Sequence, residues 1–187
     1  PLILFKGDST VFGLNFFTAD NKPVKTNDLF FVPVSDERHI ITTDNPATVS
    51  LRLYADSSRY IEYVYTLSPE KYTVDFSVNF VGMSEHIARN QSTITLDWKM
   101  YAPQKEKVRS NEESYTTIKY KYYQDEVDGF KERSTKQSEE ADITTRLSWI
   151  AFKDQFFSCV LISKDFFQNA HLSQTRTLSS PKYIKYF

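Results

Sequence analysis

From Tyr72 to Val81 the chain alternates apolar and polar residues without a break: Tyr-Thr-Val-Asp-Phe-Ser-Val-Asn-Phe-Val. A period of two puts successive side chains on opposite faces of a β-strand. Tyr72, Val74, Phe76, Val78 and Phe80 are expected to face a core, and Thr73, Asp75, Ser77 and Asn79 water. A slip of one residue would bury Asp75 and Asn79, so the face is well specified. The same period returns in Ile94, Leu96, Trp98 and Met100, in Val49, Leu51 and Leu53, and in Ile61, Tyr63, Tyr65 and Leu67. It returns again in Ile118, Tyr120 and Tyr122, with Lys119 and Lys121 on the other face as a guard against edge-to-edge pairing. Asp20-Asn21-Lys22-Pro23, Asp44-Asn45-Pro46 and Ala102-Pro103-Gln104 are turn signals between such runs. Ser68-Pro69-Glu70-Lys71 reads as the turn of a hairpin joining 61–67 to 72–81, with Pro at its second position. Closely spaced strands of this kind predict an antiparallel all-β sandwich.

Two polar stretches interrupt the pattern. Residues 104–114 and the longer 125–142 are expected to be surface loops with short helical turns, the second long enough to call for a function or local disorder. The rest of the composition supports strands: Phe (15) and Tyr (12) are abundant and Gly (4) is scarce. The glycines fall at no phosphate-binding spacing. A net charge of −1, with lysines and arginines interleaved among acids, argues against a nucleic-acid partner. The 187 residues suffice for a single domain with a sizeable core. Apolar runs stay well short of the roughly 20 residues that span a bilayer. Both ends are strand-like, Pro1-Leu2-Ile3-Leu4-Phe5 and Tyr183-Ile184-Lys185-Tyr186-Phe187, which predicts a fragment truncated at both ends.

Candidates for chemistry are few. His39, His86 and His171 each lie beside a turn signal and read as exposed loop residues. The single cysteine, Cys159, has no Lys, Arg or His within four residues to activate it and reads as a buried thiol. Glu112-Glu113 and Glu139-Glu140 fall in the polar stretches. Asp75 and Asp97 come from strands expected to be adjacent, on the non-core face, and read as part of a solvated sheet face. Asn90-Gln91-Ser92 matches a glycosylation sequon, a pattern common by chance. No catalytic group, cofactor or metal site is expected. The tyrosines offer a binding feature: Tyr60, Tyr63, Tyr65, Tyr120, Tyr122 and Tyr123 cannot all share one core face. Either they pair across strands to support the sheet, or some of them (Tyr60, Tyr63, Tyr65, Tyr120 and Tyr122 are the candidates) line a groove or interface.

The run from Leu147 to Ile162 sets two apolar segments around Lys153-Asp154-Gln155, and no pair of its residues looks like chemistry. Its Trp149, Ala151, Gln155, Phe156 and Phe157 form a Trp-x-Ala-x-x-x-Gln-aromatic-Phe element. Together with the hairpin Arg59–Val78, this element resembles the periplasmic domain of YidC-type (YidC/Oxa/Alb family) membrane protein insertases, most closely the Bacteroides-like members. The order and separation of the two elements fit as well.

The resemblance implies an antiparallel β-supersandwich over residues 1–187, a single domain in the periplasm of a bacterial inner-membrane protein. It implies a non-catalytic role in membrane protein insertion and folding, alone or with the Sec translocon. Partners would be Sec translocon components and nascent membrane proteins, met through the full-length protein. The groove that acts on substrates in that family lies in its membrane part, so no functional residue carries over. A terminal strand pair and a linker helix of the family have no counterpart here, which predicts an exposed sheet edge and dimerisation through it. The competing reading is a carbohydrate-binding or mutarotase-like periplasmic β-sandwich, whose exposed tyrosines would stack on sugars. Fold likeness alone does not carry that function, and no His–Glu pair suited to sugar ring opening is evident. A lipoprotein-like interaction domain is a third reading.

Overall fold

Alternation in the sequence becomes pairing in space. A computed structural model describes residues 7–35, 42–178, 180 and 182–187, and the described residues hold fourteen strands. Every pairing recorded between them is antiparallel, as the expected sandwich class requires. The chain divides into two compact units, one of Phe12–Asp97 and one of Pro1–Val11 with Trp98–Phe187.

In the first unit, β1 (Thr10–Phe17) turns back through Asn21, held at φ 59°, to β2 (Pro23–Lys25). A second sheet runs β3 (Val32–Pro33), β4 (Ala47–Tyr54), β5 (Tyr60–Leu67) and β6 (Val74–Val81) in that order. The expected hairpin is present: Leu67 pairs with Val74 and Tyr60 with Val81. Its turn closes from the Lys71 N–H to the Ser68 carbonyl at 3.4 Å, with Glu70 at φ 58°. That positive φ marks the third residue of a type II turn, where Gly is the usual occupant. Ile61, Tyr63, Leu14, Phe16 and Met83 form the core, with Leu51, Leu53, Phe76 and Val78 packed against it. On the outer face, Arg52 donates to Glu62 at 2.8 Å and Asn79 to the same carboxylate at 3.1 Å, one polar row across three strands.

The ends of β6 depart from expectation. Tyr72 lies before the strand and is fully exposed, and Val74 is largely exposed. The strand is the sheet edge, so its ends lack neighbours to cover them. Asp75 and Asp97 do not lie on adjacent strands, because β6 pairs with β5 alone.

In the second unit, β7 (Thr95–Pro103) brings Trp98 and Met100 to a core, while Ile94 and Leu96 serve the core of the first unit. One sheet runs β8 (Thr117–Tyr122) between β11 (Leu147–Lys153) and β9 (Val127–Gly129), with β12 (Ser158–Phe167) at the far edge beyond β11. The other joins β10 (Ser138–Ile143), β13 (Ala170–Arg176), β14 (Tyr183–Tyr186) and β7. Ile118, Tyr120, Ile150 and Phe152 face inward, where Phe152 stacks between Trp98 (3.9 Å) and Phe187 (4.8 Å).

Three expectations are corrected in this unit. Residues 125–142 are not one loop, since they contain β9 and the start of β10. The charged sequence Ser138-Glu-Glu-Ala-Asp-Ile is polar on one face and masks a strand whose apolar residues are Ala141 and Ile143. β8 is interior, so Lys119 guards no edge. Its ammonium instead reaches the Phe130 carbonyl at 3.3 Å. His171 is on β13 rather than in a loop, its Nδ1 2.7 Å from Asp142 on the paired strand in an exposed, solvent-screened contact. His86 does sit in a turn, half-buried, and His39 lies outside the described residues. Residues 104–114 carry the expected helical turn as α1 (Arg109–Tyr115), but the helix holds a buried charge.

Candidate functional site

The signature run folds as β11, a four-residue turn and β12. Asp154 opens the turn: its N–H donates to the Phe157 carbonyl at 2.7 Å, and its carboxylate accepts the Gln155 N–H at 2.9 Å. The first bond is backbone to backbone, and the second needs the carboxylate, which an apolar residue could not supply. The carboxylate is nevertheless buried and forms an ion pair with Lys105, whose side chain is 11% exposed. The Thr116 hydroxyl lies 3.0 Å from the other carboxylate contact point, Oδ1, and 2.8 Å from the Glu112 carbonyl, at the end of α1.

Glu112 is 1% exposed. Its two oxygens accept the backbone N–H of Lys105 (3.0 and 3.1 Å) and of Glu106 (3.0 Å), satisfying donors that the strand end at Pro103 leaves unpaired. Burial pushes the Glu112 carboxyl up from its ordinary value, and the nearby Asp154 adds to this, against the lowering effect of the N–H bonds. Lys185, buried on β14, donates to the Thr116 carbonyl, and burial pulls its ammonium down. Arg176 on β13 pairs with Glu113 at 2.6 Å, and Arg109 reaches the carbonyls of Ser180 (2.7 Å) and Thr177 (2.9 Å). Charged groups of α1 thus tie it to β13 and to the segment before β14, while its flanking residues Lys105 and Thr116 reach the β11–β12 turn.

The arrangement holds structure rather than substrate. The Asp154 and Glu112 carboxylates face donors of the chain itself. The cavity beside it, lined by Lys105, Asp154, Ser158, Cys159 and Phe187, has about 10 Å³ for a solvent-sized occupant, room for little more than a single water. Cys159 packs on the core and its thiol is pushed up by burial, as expected of a structural thiol. Among the described residues, no group of three His, Cys, Asp or Glu could hold a metal ion.

Trp149 and Ala151 lie on the face of β11 opposite Ile150 and Phe152. Trp149 sits beside Ile162 and Lys121, and Ala151 beside Val160 and Lys119. Gln155, Phe156 and Phe157 form the turn, with Phe156 67% exposed. The five candidate tyrosines divide between the units. Tyr63 is buried with its hydroxyl 2.8 Å from Thr26, Tyr65 packs on Phe76 at 5.0 Å, and Tyr60 lies under the Arg52 guanidinium at 4.4 Å. On β8, Tyr120 is buried edge-on to Tyr122, with its hydroxyl raised chiefly by burial, while Tyr122 reaches an open cleft. The Lys105–Asp154 pair was missed in sequence, and Glu112 was assigned to a polar surface stretch rather than to a buried site, because the partners come from separate segments. The one local signal was an aspartate in the middle of an apolar run.

A family model described as the YidC periplasmic domain matches residues 1–187. The membrane protein insertase YidC of Phocaeicola vulgatus is 37% identical over 186 residues, 99% of this chain and 28% of that protein. That of Azobacteroides pseudotrichonymphae is 32% identical over 185 residues, again 99% of this chain and 28% of the relative. That of Parabacteroides distasonis is 34% identical over 168 residues, 90% of this chain and 25% of the relative. The chain therefore spans between 25% and 28% of the length of these curated relatives. No solved structure matches it. With the whole chain covered by one family model and by full-length relatives of this identity, the chain belongs to the YidC periplasmic domain family.

Proposed function

We propose that this chain is one periplasmic domain of an inner-membrane protein insertase, and that it assists the insertion and folding of nascent membrane proteins without catalysing a reaction. The observation that carries this reading is the match of residues 1–187 to the family model, joined to full-length relatives named membrane protein insertases. The site's chemistry supports the non-catalytic part, because its buried charges are spent on one another and on backbone groups. No helix among the described residues is long and apolar enough to cross a membrane. In this reading the signature Trp149, Ala151, Gln155, Phe156 and Phe157 shape the β11–β12 hairpin, and the lysine–aspartate lock keeps it rigid. The domain acts as a docking module for nascent chains or for Sec translocon components.

Site-specific photo-crosslinking in the full-length protein tests the role. A photoreactive residue replaces Phe156 or Ile162, both exposed on the hairpin. Crosslinks to a nascent membrane protein or a translocon subunit support docking. Their absence, while a probe in the membrane part of the same protein does crosslink to the nascent chain, overturns it.

A further inference from the structure

Seven arginines lie among the described residues, and six of them donate to an oxygen. Arg52, Arg59, Arg89 and Arg176 reach carboxylates, Arg109 reaches carbonyls and Arg133 reaches a tyrosine hydroxyl. The seventh, Arg146, contacts only a ring: its guanidinium carbon is 4.2 Å from the centre of Phe166. Phe166 is braced edge-on by Tyr123 at 5.2 Å, and the Tyr123 N–H donates to the Arg146 carbonyl at 2.9 Å. Contact with a ring spends none of the guanidinium N–H donors on an acceptor oxygen. An arginine held in this way is prepared for a planar, two-point bond to a carboxylate or phosphate.

The surroundings match. An open cleft of about 570 Å³, within the range of small-molecule sites, is lined by Tyr123, Asp125, Thr144, Thr145, Arg146 and Gln168. The side chains of Tyr123, Thr144, Thr145 and Gln168 have no hydrogen-bond partner among the described residues. The strand beside the cleft is irregular where it supplies Phe166. Leu147 pairs with Phe167 and Trp149 with Ile162, so Ser148 alone on β11 faces residues 163–166 of β12. Such bulges give up sheet pairing to re-aim a side chain and gather beside functional sites. Asp125 adds a condition. One of its oxygens accepts the Glu126 N–H at 2.8 Å, and the negative charge it brings disfavours a bare anion.

We propose that this cleft binds a small ligand bearing an oxyanion, carboxylate or phosphate, beside an ammonium or hydroxyl donor, with Arg146 holding the oxyanion and Asp125 the donor. The inference is independent of the insertase reading, which assigns nothing to this cleft.

Backbone amide NMR titration of the chain tests it with O-phosphoethanolamine, glucuronate and inorganic phosphate as probes, and with ethanolamine and glucose as controls lacking the oxyanion. Saturable shifts at Tyr123, Thr144 and Thr145 are expected with O-phosphoethanolamine or glucuronate but not with the controls. Whichever of the two binds more tightly identifies the oxyanion as phosphate or carboxylate. Arg146→Gln should weaken binding at least about tenfold, the effect of losing a charged hydrogen bond, with an unchanged melting temperature. Thr145→Val should weaken it less. Inorganic phosphate binding as tightly as O-phosphoethanolamine would overturn the role given to Asp125. No saturable shift with any probe at about 10 mM, or equal binding by Arg146→Gln, would overturn the site, since a millimolar site would be more than half occupied at that concentration.

Discussion

Lys105→Met isolates the lock between the segment that precedes α1 and the signature turn. The substitution keeps the length and apolar stem of the side chain and removes its charge. Asp154 then stays buried, its side chain 10% exposed, with only the Thr116 hydroxyl (3.0 Å) and the Gln155 N–H (2.9 Å) as donors. Removing one partner of a buried ion pair costs about 3–5 kcal/mol. The Gln155 N–H remains, with a Thr116 hydroxyl shared with the Glu112 carbonyl, so the lower end applies, about 3 kcal/mol, a large share of the roughly 5–15 kcal/mol that holds a domain together. For a chain of this size that lowers Tm by roughly 6–12 °C. Urea unfolding followed by tryptophan fluorescence reads the effect directly, because Trp98 and Trp149 both belong to the unit that contains the pair. The double variant Lys105→Met/Asp154→Asn should recover most of the loss, since it removes the unpaired buried charge while an amide oxygen still accepts the Gln155 N–H. A single variant that loses less than about 1 kcal/mol, the range of exposed pairs, would refute the reasoning. So would a double variant no more stable than the single.

Other outcomes follow from the same structure. Burial raises the Glu112 carboxyl above its unfolded value near 4.5, so its contribution to stability is complete below that pH and is lost as pH rises through the folded value. The stability advantage of the native chain over Glu112→Gln should therefore shrink from acid to neutral pH, and an advantage that grows with pH would contradict the assignment. Gly129 sits at φ 154°, and a Cβ there would lie 2.4 Å from the Ile118 carbonyl. Gly129→Ala should cost at least about 2 kcal/mol in urea unfolding, combining backbone strain with a clash against an interior strand. Cys159 should react with a thiol reagent at neutral pH far more slowly than an exposed thiol, and at full rate only in denaturant. We further propose that the isolated chain dimerises through β12, an edge strand with Val160 (47%) and Ile162 (60%) exposed. Light scattering at high concentration should show the dimer, and Ile162→Lys should abolish it; a monodisperse native monomer would count against the proposal.

The strands that carry strict alternation were legible in the chain itself. The 61–67 and 72–81 hairpin, the inward face of 94–100 and the inward Ile118 and Tyr120 all follow from period two, because a one-residue slip would bury carboxylates and amides. The antiparallel all-β class and the family resemblance followed from the same residues. The errors fell where local pattern and neighbourhood disagree. Tyr72 continues the alternation but lies beyond the last pairing with β5, so nothing covers it. Lys119 resembles an edge guard, yet β9 pairs on its far side. Residues 138–143 look like loop because Glu139, Glu140 and Asp142 outnumber the apolar residues, and only pairing with β13 makes them a strand. The candidate sites were hidden for a related reason. Asp154 meets Lys105 from 49 residues away, and Arg146 meets Phe166 across a bulge in the register. Periodicity reports which face a side chain takes, a property of its immediate neighbours in sequence. Which distant charge or ring it meets depends on strand order, bulges and the docking of α1, and these the tertiary structure alone decided.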